Sequence, residues 1–124
     1  MKSKRSGKIV GELHALNFET AELISEVADD APLIMGSMSR VMRTCGKSNC
    51  RCSEKPCHEC DILMTSVRGG RKCQVIRRSD VPQVAEKVRR YRRFREVLKR
   101  LQSIDKRKYS LLKGIMKSRS EVYK

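Results

Sequence analysis

The chain has 124 residues, with no Trp, two Phe, three Tyr and 35% charged side chains. That composition leaves apolar bulk for one thin core, which calls for a metal, disulfides or a partner to complete it. It also leaves no run long and apolar enough to span a bilayer. The formal net charge of +15 is distributed unevenly: residues 11–31 hold six acids and no Lys or Arg, whereas residues 87–124 hold fifteen bases against three acids.

In chain order, residues 1–8 (MKSKRSGK) read as a flexible basic arm. An acidic segment follows them instead of an apolar run, so no signal peptide is expected. Residues 9–32 form an acidic helical segment. Within it, Phe18, Ala21, Leu23, Ile24, Val27 and Ala28 predict an amphipathic helix over 18–28, closed by Asp29, Asp30 and Pro32. Residues 33–44 suit a short helix or a strand. Residues 45–60 (CGKSNCRCSEKPCHEC) have the turn residues of a knuckle. Two β-prone runs, 62–67 and 72–77, then flank Gly69-Gly70, which predicts a hairpin. Pairing Arg68 with Arg71 sets Ile62, Met64, Ser66, Cys73 and Val75 on one face and Leu63, Val67 and Ile76 on the other. Ser79-Asp80-Val81-Pro82 opens a helix. Its apolar stripe is Val84, Val88, Tyr91, Phe94, Leu98, Leu101 and Ile104, with a restart or continuation through Leu111, Leu112, Ile115 and Met116. The predicted domains are therefore the arm (1–8), the acidic segment (9–32), a zinc-knuckle, hairpin and helix domain (33–104), and a basic C-terminal helical extension (105–124). The fold class is α+β.

Five of the six cysteines fall between positions 45 and 60. In the reducing cytoplasm, the expected location, clustered cysteines read as metal ligands before disulfides. Zinc takes four N/S donors in a tetrahedron, and thiolates on tight turns supply them without a large core. Cys45, Cys50 and Cys52 give C-x4-C-x-C, and Cys57, His58 and Cys60 bring the candidates to six for four places. Gly46 lets the chain turn after the first thiol, and Lys47 and Arg51 offset thiolate charge. One structural zinc is expected; an iron–sulfur cluster and free thiols are the alternatives.

The run GSMSRVMRTCGKSNCRC, then His58, the Gly-Gly hairpin and a basic YRRFREVLKRL helix resembles a family of small prokaryotic zinc-knuckle proteins. The family signature is G-S-L…C-G-K-x-N-C-x-C…H-G-P, and its genes often lie beside transposases and other mobile elements. The resemblance covers residues 36–101 and implies Cys45, Cys50, Cys52 and His58 as ligands. Here Glu59-Cys60 stands where the family has Gly-Pro, which keeps Cys57 and Cys60 as alternates.

No catalytic constellation is complete. Pro56-Cys57-His58-Glu59-Cys60 supplies P-C-x-x-C, half of the zinc deaminase signature, but the H-x-E half is absent: His14 is followed by Ala15-Leu16. A Cys57/Cys60 redox pair lacks the βαβ setting such motifs occupy. A non-enzymatic binding protein is expected. Clustered cations are the footprint of phosphate binding, and Lys87, Arg89, Arg90, Arg92, Arg93, Lys99 and Arg100 are the candidate contacts. Nucleic acid is the expected partner, with DNA favoured by the mobile-element resemblance. An RNA- or ribosome-associated protein is the near variant. The rival class is a zinc-stabilised adaptor that docks a protein partner through the long helix, whose stripe serves as core or as a coiled-coil seam.

Overall fold

The computed structural model describes residues 3–44, 46–51, 54–55 and 58–124. Its elements are helix α1 (Ser3–Val27), strands β1 (Ser37–Arg43), β2 (His58–Val67) and β3 (Gly70–Val75), a 3-10 turn (Arg78–Asp80) and helix α2 (Val81–Arg119). The three strands form one antiparallel sheet in the order β1-β2-β3. The α+β expectation holds. Among the described residues no helix is long and apolar enough to cross a membrane.

The chain divides into two compact units, one of Met1–Asp30 with Phe94–Lys124 and one of Ala31–Arg93. The acidic segment and the distal part of α2 fall in one unit.

In the first unit α1 begins at Ser3, within the stretch expected as an arm, and is far longer than a helix over 18–28. Ile9, Leu13, Leu16, Thr20, Leu23 and Val27 recur at alternating steps of four and three, and all are buried or half-buried. On α2 the same spacing runs through Val97, Leu101, Ile104, Lys108, Leu111 and Ile115. That is the heptad pattern of helices packed side by side along a seam. Leu16, Ile104 and Leu111 form the buried cluster, with Ile9, Leu13 and Leu23 against it. Phe18 and Ile24 are 68% and 49% exposed, so the α1 stripe is rotated from the one expected. On α2 Val97, not Leu98, is the buried residue, at 1% against 51% exposure. Of restart or continuation past Ile104, the structure shows continuation, to Arg119. The seam continues through Leu111 and Ile115, which offsets the cost of about 1 kcal/mol at Gly114.

The second unit is built on β2, the central strand, where Ile62 is buried. The segment over 33–44 resolves as a strand, β1, with Ser39 opposite Ile62 and Arg43 opposite His58. Just before it Gly36 lies against β2: a Cβ there would stand 2.8 Å from the Met64 carbonyl oxygen. In the hairpin Val67 pairs with Gly70, and Ile62 with Val75. The register therefore sits one residue earlier on each strand than Arg68 opposite Arg71. The connection is Arg68-Gly69, with Gly69 at φ +89° and no positive φ at Arg68. Those signs suit a type II turn, which needs glycine at its third position. The expected division of faces survives, because a shift of one residue on both strands keeps their alternation. Pro82 sits in the first turn of α2, where its missing N–H costs nothing. Asp80 accepts a hydrogen bond from Gln83 Nε2 at 3.2 Å. Ile34 N–H donates to the Lys87 carbonyl at 3.1 Å, and Val88 is buried.

Candidate metal centre and cationic surface

Three of the six candidate ligands are described. Cys50 follows a turn closed by its own N–H donating to the Lys47 carbonyl at 3.2 Å, after Gly46 at φ +83°. His58 is the first residue of β2, and Cys60 follows two positions on, so both lie on one face of the strand. The turn and the strand end bring Cys50 Sγ to 3.1 Å from His58 Nε2. Two ligands of one tetrahedral zinc stand about 3.5 Å apart, given bonds of about 2.3 Å to sulfur and 2.0–2.1 Å to nitrogen. The observed pair is thus close to the separation a shared ion requires, and as a thiol and an imidazole it has the right donor chemistry. Cys45, Cys52 and Cys57 lie outside the described residues. Among the described residues no third His, Cys, Asp or Glu joins the pair closely enough to complete a site. Cys60 is half-buried opposite Val41 and lines an open cleft of about 420 Å³ with Arg40, Asp61, Ile76 and Arg78. Cys73 is a free, exposed thiol on β3.

The candidate phosphate contacts separate into two sets. Arg89 is engaged by Glu86 through two hydrogen bonds, at 2.5 and 3.1 Å. Arg90 lies 3.7 Å from the same carboxylate and donates to the Pro32 carbonyl at 3.0 Å. Arg100 holds Glu19 in a two-pronged pair at 2.5 and 2.8 Å. Among the described residues Lys87, Arg92 and Lys99 have no comparable carboxylate engagement, and Arg92 and Lys99 are exposed. Arg93 also makes an interaction of its own. Arg40 on β1 pairs with Asp61 and Glu59 of β2.

A further arginine had no place among the candidates. Arg107 grips Glu12 as Arg100 grips Glu19, with Nη2 at 3.0 Å from the carboxylate. The signal was present in the sequence: Glu12, Glu19 and Glu26 recur every seven residues, as do Arg93, Arg100 and Arg107. Two series in heptad register on two amphipathic helices are the mark of pairing across a seam. The Arg107 and Arg100 hydrogen bonds hold the Glu12 and Glu19 carboxyls below the usual carboxylate range. The Arg89 hydrogen bonds do the same for Glu86.

Charge therefore has different uses in the two units. Ala31–Arg93 contains fifteen Lys and Arg against five acids, so it carries +10 of the total +15. Arg68, Arg71, Lys72, Arg77 and Arg78, on and around the hairpin, are all exposed.

Comparison of the chain with family models, with curated proteins and with solved structures found no match.

Proposed function

We propose that the protein is a non-enzymatic nucleic-acid-binding protein whose sheet unit is stabilised by one structural zinc and contacts the phosphate backbone. The observation that carries this reading is the concentration of positive charge in Ala31–Arg93, on exposed hairpin cations with few acids to neutralise them. Such a surface releases counterions from a polyanion and binds it without reading sequence. DNA is the favoured partner, on the strength of the mobile-element resemblance, and RNA the alternative. The proposed ligands are Cys45, Cys50, Cys52 and His58, with Cys57 and Cys60 as alternates. The close approach of Cys50 and His58 supports the assignment. Zinc supplies folding energy at such a site, because its donors are not gathered in the unfolded chain.

Contacts are reassigned toward cations not engaged by a carboxylate. Lys87 and Arg92 keep their proposed role on the sheet unit's part of α2, and the hairpin adds Arg71 and Lys72; Lys99 lies in the helical unit and is not counted in this surface. Arg89, Arg90 and Arg100 contribute less, since phosphate must compete with their carboxylates. Fluorescence anisotropy with a labelled duplex DNA and the matching RNA tests this. Affinity should fall steeply between about 50 and 200 mM salt. Arg71→Glu with Lys72→Glu should weaken binding at least tenfold, whereas Arg100→Glu should change it little. Absence of binding to either duplex at low salt would reject the function, and equal effects of the two changes would reject the reassignment.

A further inference from the structure

The helical unit has two unlike flanks. At 100° per residue, Glu12 and Glu19 on α1 and Arg100 and Arg107 on α2 lie roughly 60–80° to one side of their seam lines. The Glu19–Arg100 and Glu12–Arg107 pairs close that side. Their residue numbers rise on one helix as they fall on the other, so the helices are antiparallel and like-sided flanks coincide. Roughly 60–120° to the opposite side lie Val10 and Ile24 on α1 and Leu98, Tyr109, Leu112 and Met116 on α2. These six are 42–66% exposed. Leu112 and Met116, with Ile115 and Arg119, line an open groove of about 360 Å³.

We infer that this apolar flank is the interface of a homodimer, in which two helical units pack as a four-helix bundle. Three observations favour a second copy as the occupant. First, among the described residues the unit's buried side chains are Leu16, Ile104 and Leu111, with three half-buried neighbours, and Val97, which is thin for a 25-residue helix and the Phe94–Arg119 part of α2. A second copy adds a core layer of the same kind. Second, in a chain of +15 the flank carries little charge: Asp105 lies within it, and Arg119 at the groove and Lys113, whose Nζ stands 5.3 Å from the Tyr109 ring centroid, border it, so two copies meet there with little cationic repulsion. A surface with so few cations is poorly suited to phosphate. Third, at roughly 100 Å² of exposed side chain per residue, the six offer about 600 Å² per copy. A pair can then bury up to about 1,200 Å², which reaches the lower end for a specific interface.

Sedimentation equilibrium of nuclease-treated, zinc-loaded full-length protein in reducing buffer tests the inference. The expected species has twice the 14.3 kDa chain mass and persists in high salt, because its contact is apolar. Leu112→Glu with Met116→Glu should retain helical circular dichroism and weaken self-association at least tenfold. Leu98→Glu with Tyr109→Glu asks the same question elsewhere on the flank should the first variant lose helicity. Phe18→Glu, at an exposed apolar residue off the flank, should leave the dimer intact. A wild-type monomer throughout the micromolar range, a dimer that survives both double changes, or a mass accounted for only by another protein would overturn it.

Discussion

The two units use the same residue types for opposite ends. In the helical unit arginine is a fastener: Arg100 and Arg107 each close two hydrogen bonds on a glutamate one heptad from the next. In the sheet unit most cations are left outward, and the few acids hold only some of them, as Glu86 holds Arg89 and Glu59 and Asp61 hold Arg40. The lesson is that a count of Lys and Arg along a helix does not measure a binding surface. What matters is how many remain once the acids of the same fold have been matched to them. The units also differ in what replaces a large core: a heptad seam in one, a proposed metal in the other.

The largest expected effect separates those two devices. Cys50→Ser with Cys52→Ser, or chelation of the metal, should unfold the sheet unit, because the zinc term at such sites, about 10–16 kcal/mol, matches or exceeds the whole stability of a small domain. Helical circular dichroism should largely persist. Bound zinc by elemental analysis, read beside the melting curve, checks this; retained metal and an unchanged curve would remove these ligands. A smaller effect comes from the other unit. Ile104 is fully buried in the seam, and Ile104→Ala should cost about 2–5 kcal/mol in chemical denaturation while leaving the metal bound. Loss of zinc in that variant would mean that the units do not fail separately.

The smallest effect is electrostatic. Glu12 and Glu19 have folded-state pKa values below the usual carboxylate range, and therefore below their unfolded values. Their contribution is then present above that range, at neutral pH, and lost as pH falls through the depressed values. The arginines stay protonated throughout and add no pH dependence of their own. Glu12→Gln with Glu19→Gln should lower the melting temperature slightly at neutral pH and flatten its decline on acidification. Because the pairs are half-exposed, the change is modest. An acid profile identical to the parent would show that these pairs do not set the helical unit's stability.

The elements legible in the sequence were those marked by local chemistry. Gly69-Gly70 between β-prone runs announced the hairpin, and Asp80 with Pro82 announced the start of α2. The faces of β2 and β3 followed from alternation alone, whereas the register did not, because two adjacent glycines allow more than one turn. β1 was ambiguous because Met38, Val41 and Met42 do not alternate strictly. The rotated stripes on α1 and α2 are a different failure. Phe18, Ile24 and Leu98 are apolar enough to be taken for core, and the seven-residue recurrence of Glu and Arg, beside the four-and-three spacing of the seam residues, indicates which side meets the other helix. For the proposed metal centre, the sequence offers residue types and spacing, and the fold adds the approach of Cys50 to His58. The choice of the remaining donors rests on resemblance.

Strand β3 forms one margin of the sheet, and all six of its residues are exposed. A bare strand margin is a template on which another molecule's strand can add, and lysine or arginine there is a common guard against it. Arg71 and Lys72, proposed above as phosphate contacts, are then expected to guard this margin as well. Charge reversal keeps that guard in place, whereas Arg71→Ala with Lys72→Ala removes it. The alanine pair should scatter light on warming where the glutamate pair stays clear, and equal clarity in both would free β3 of that duty.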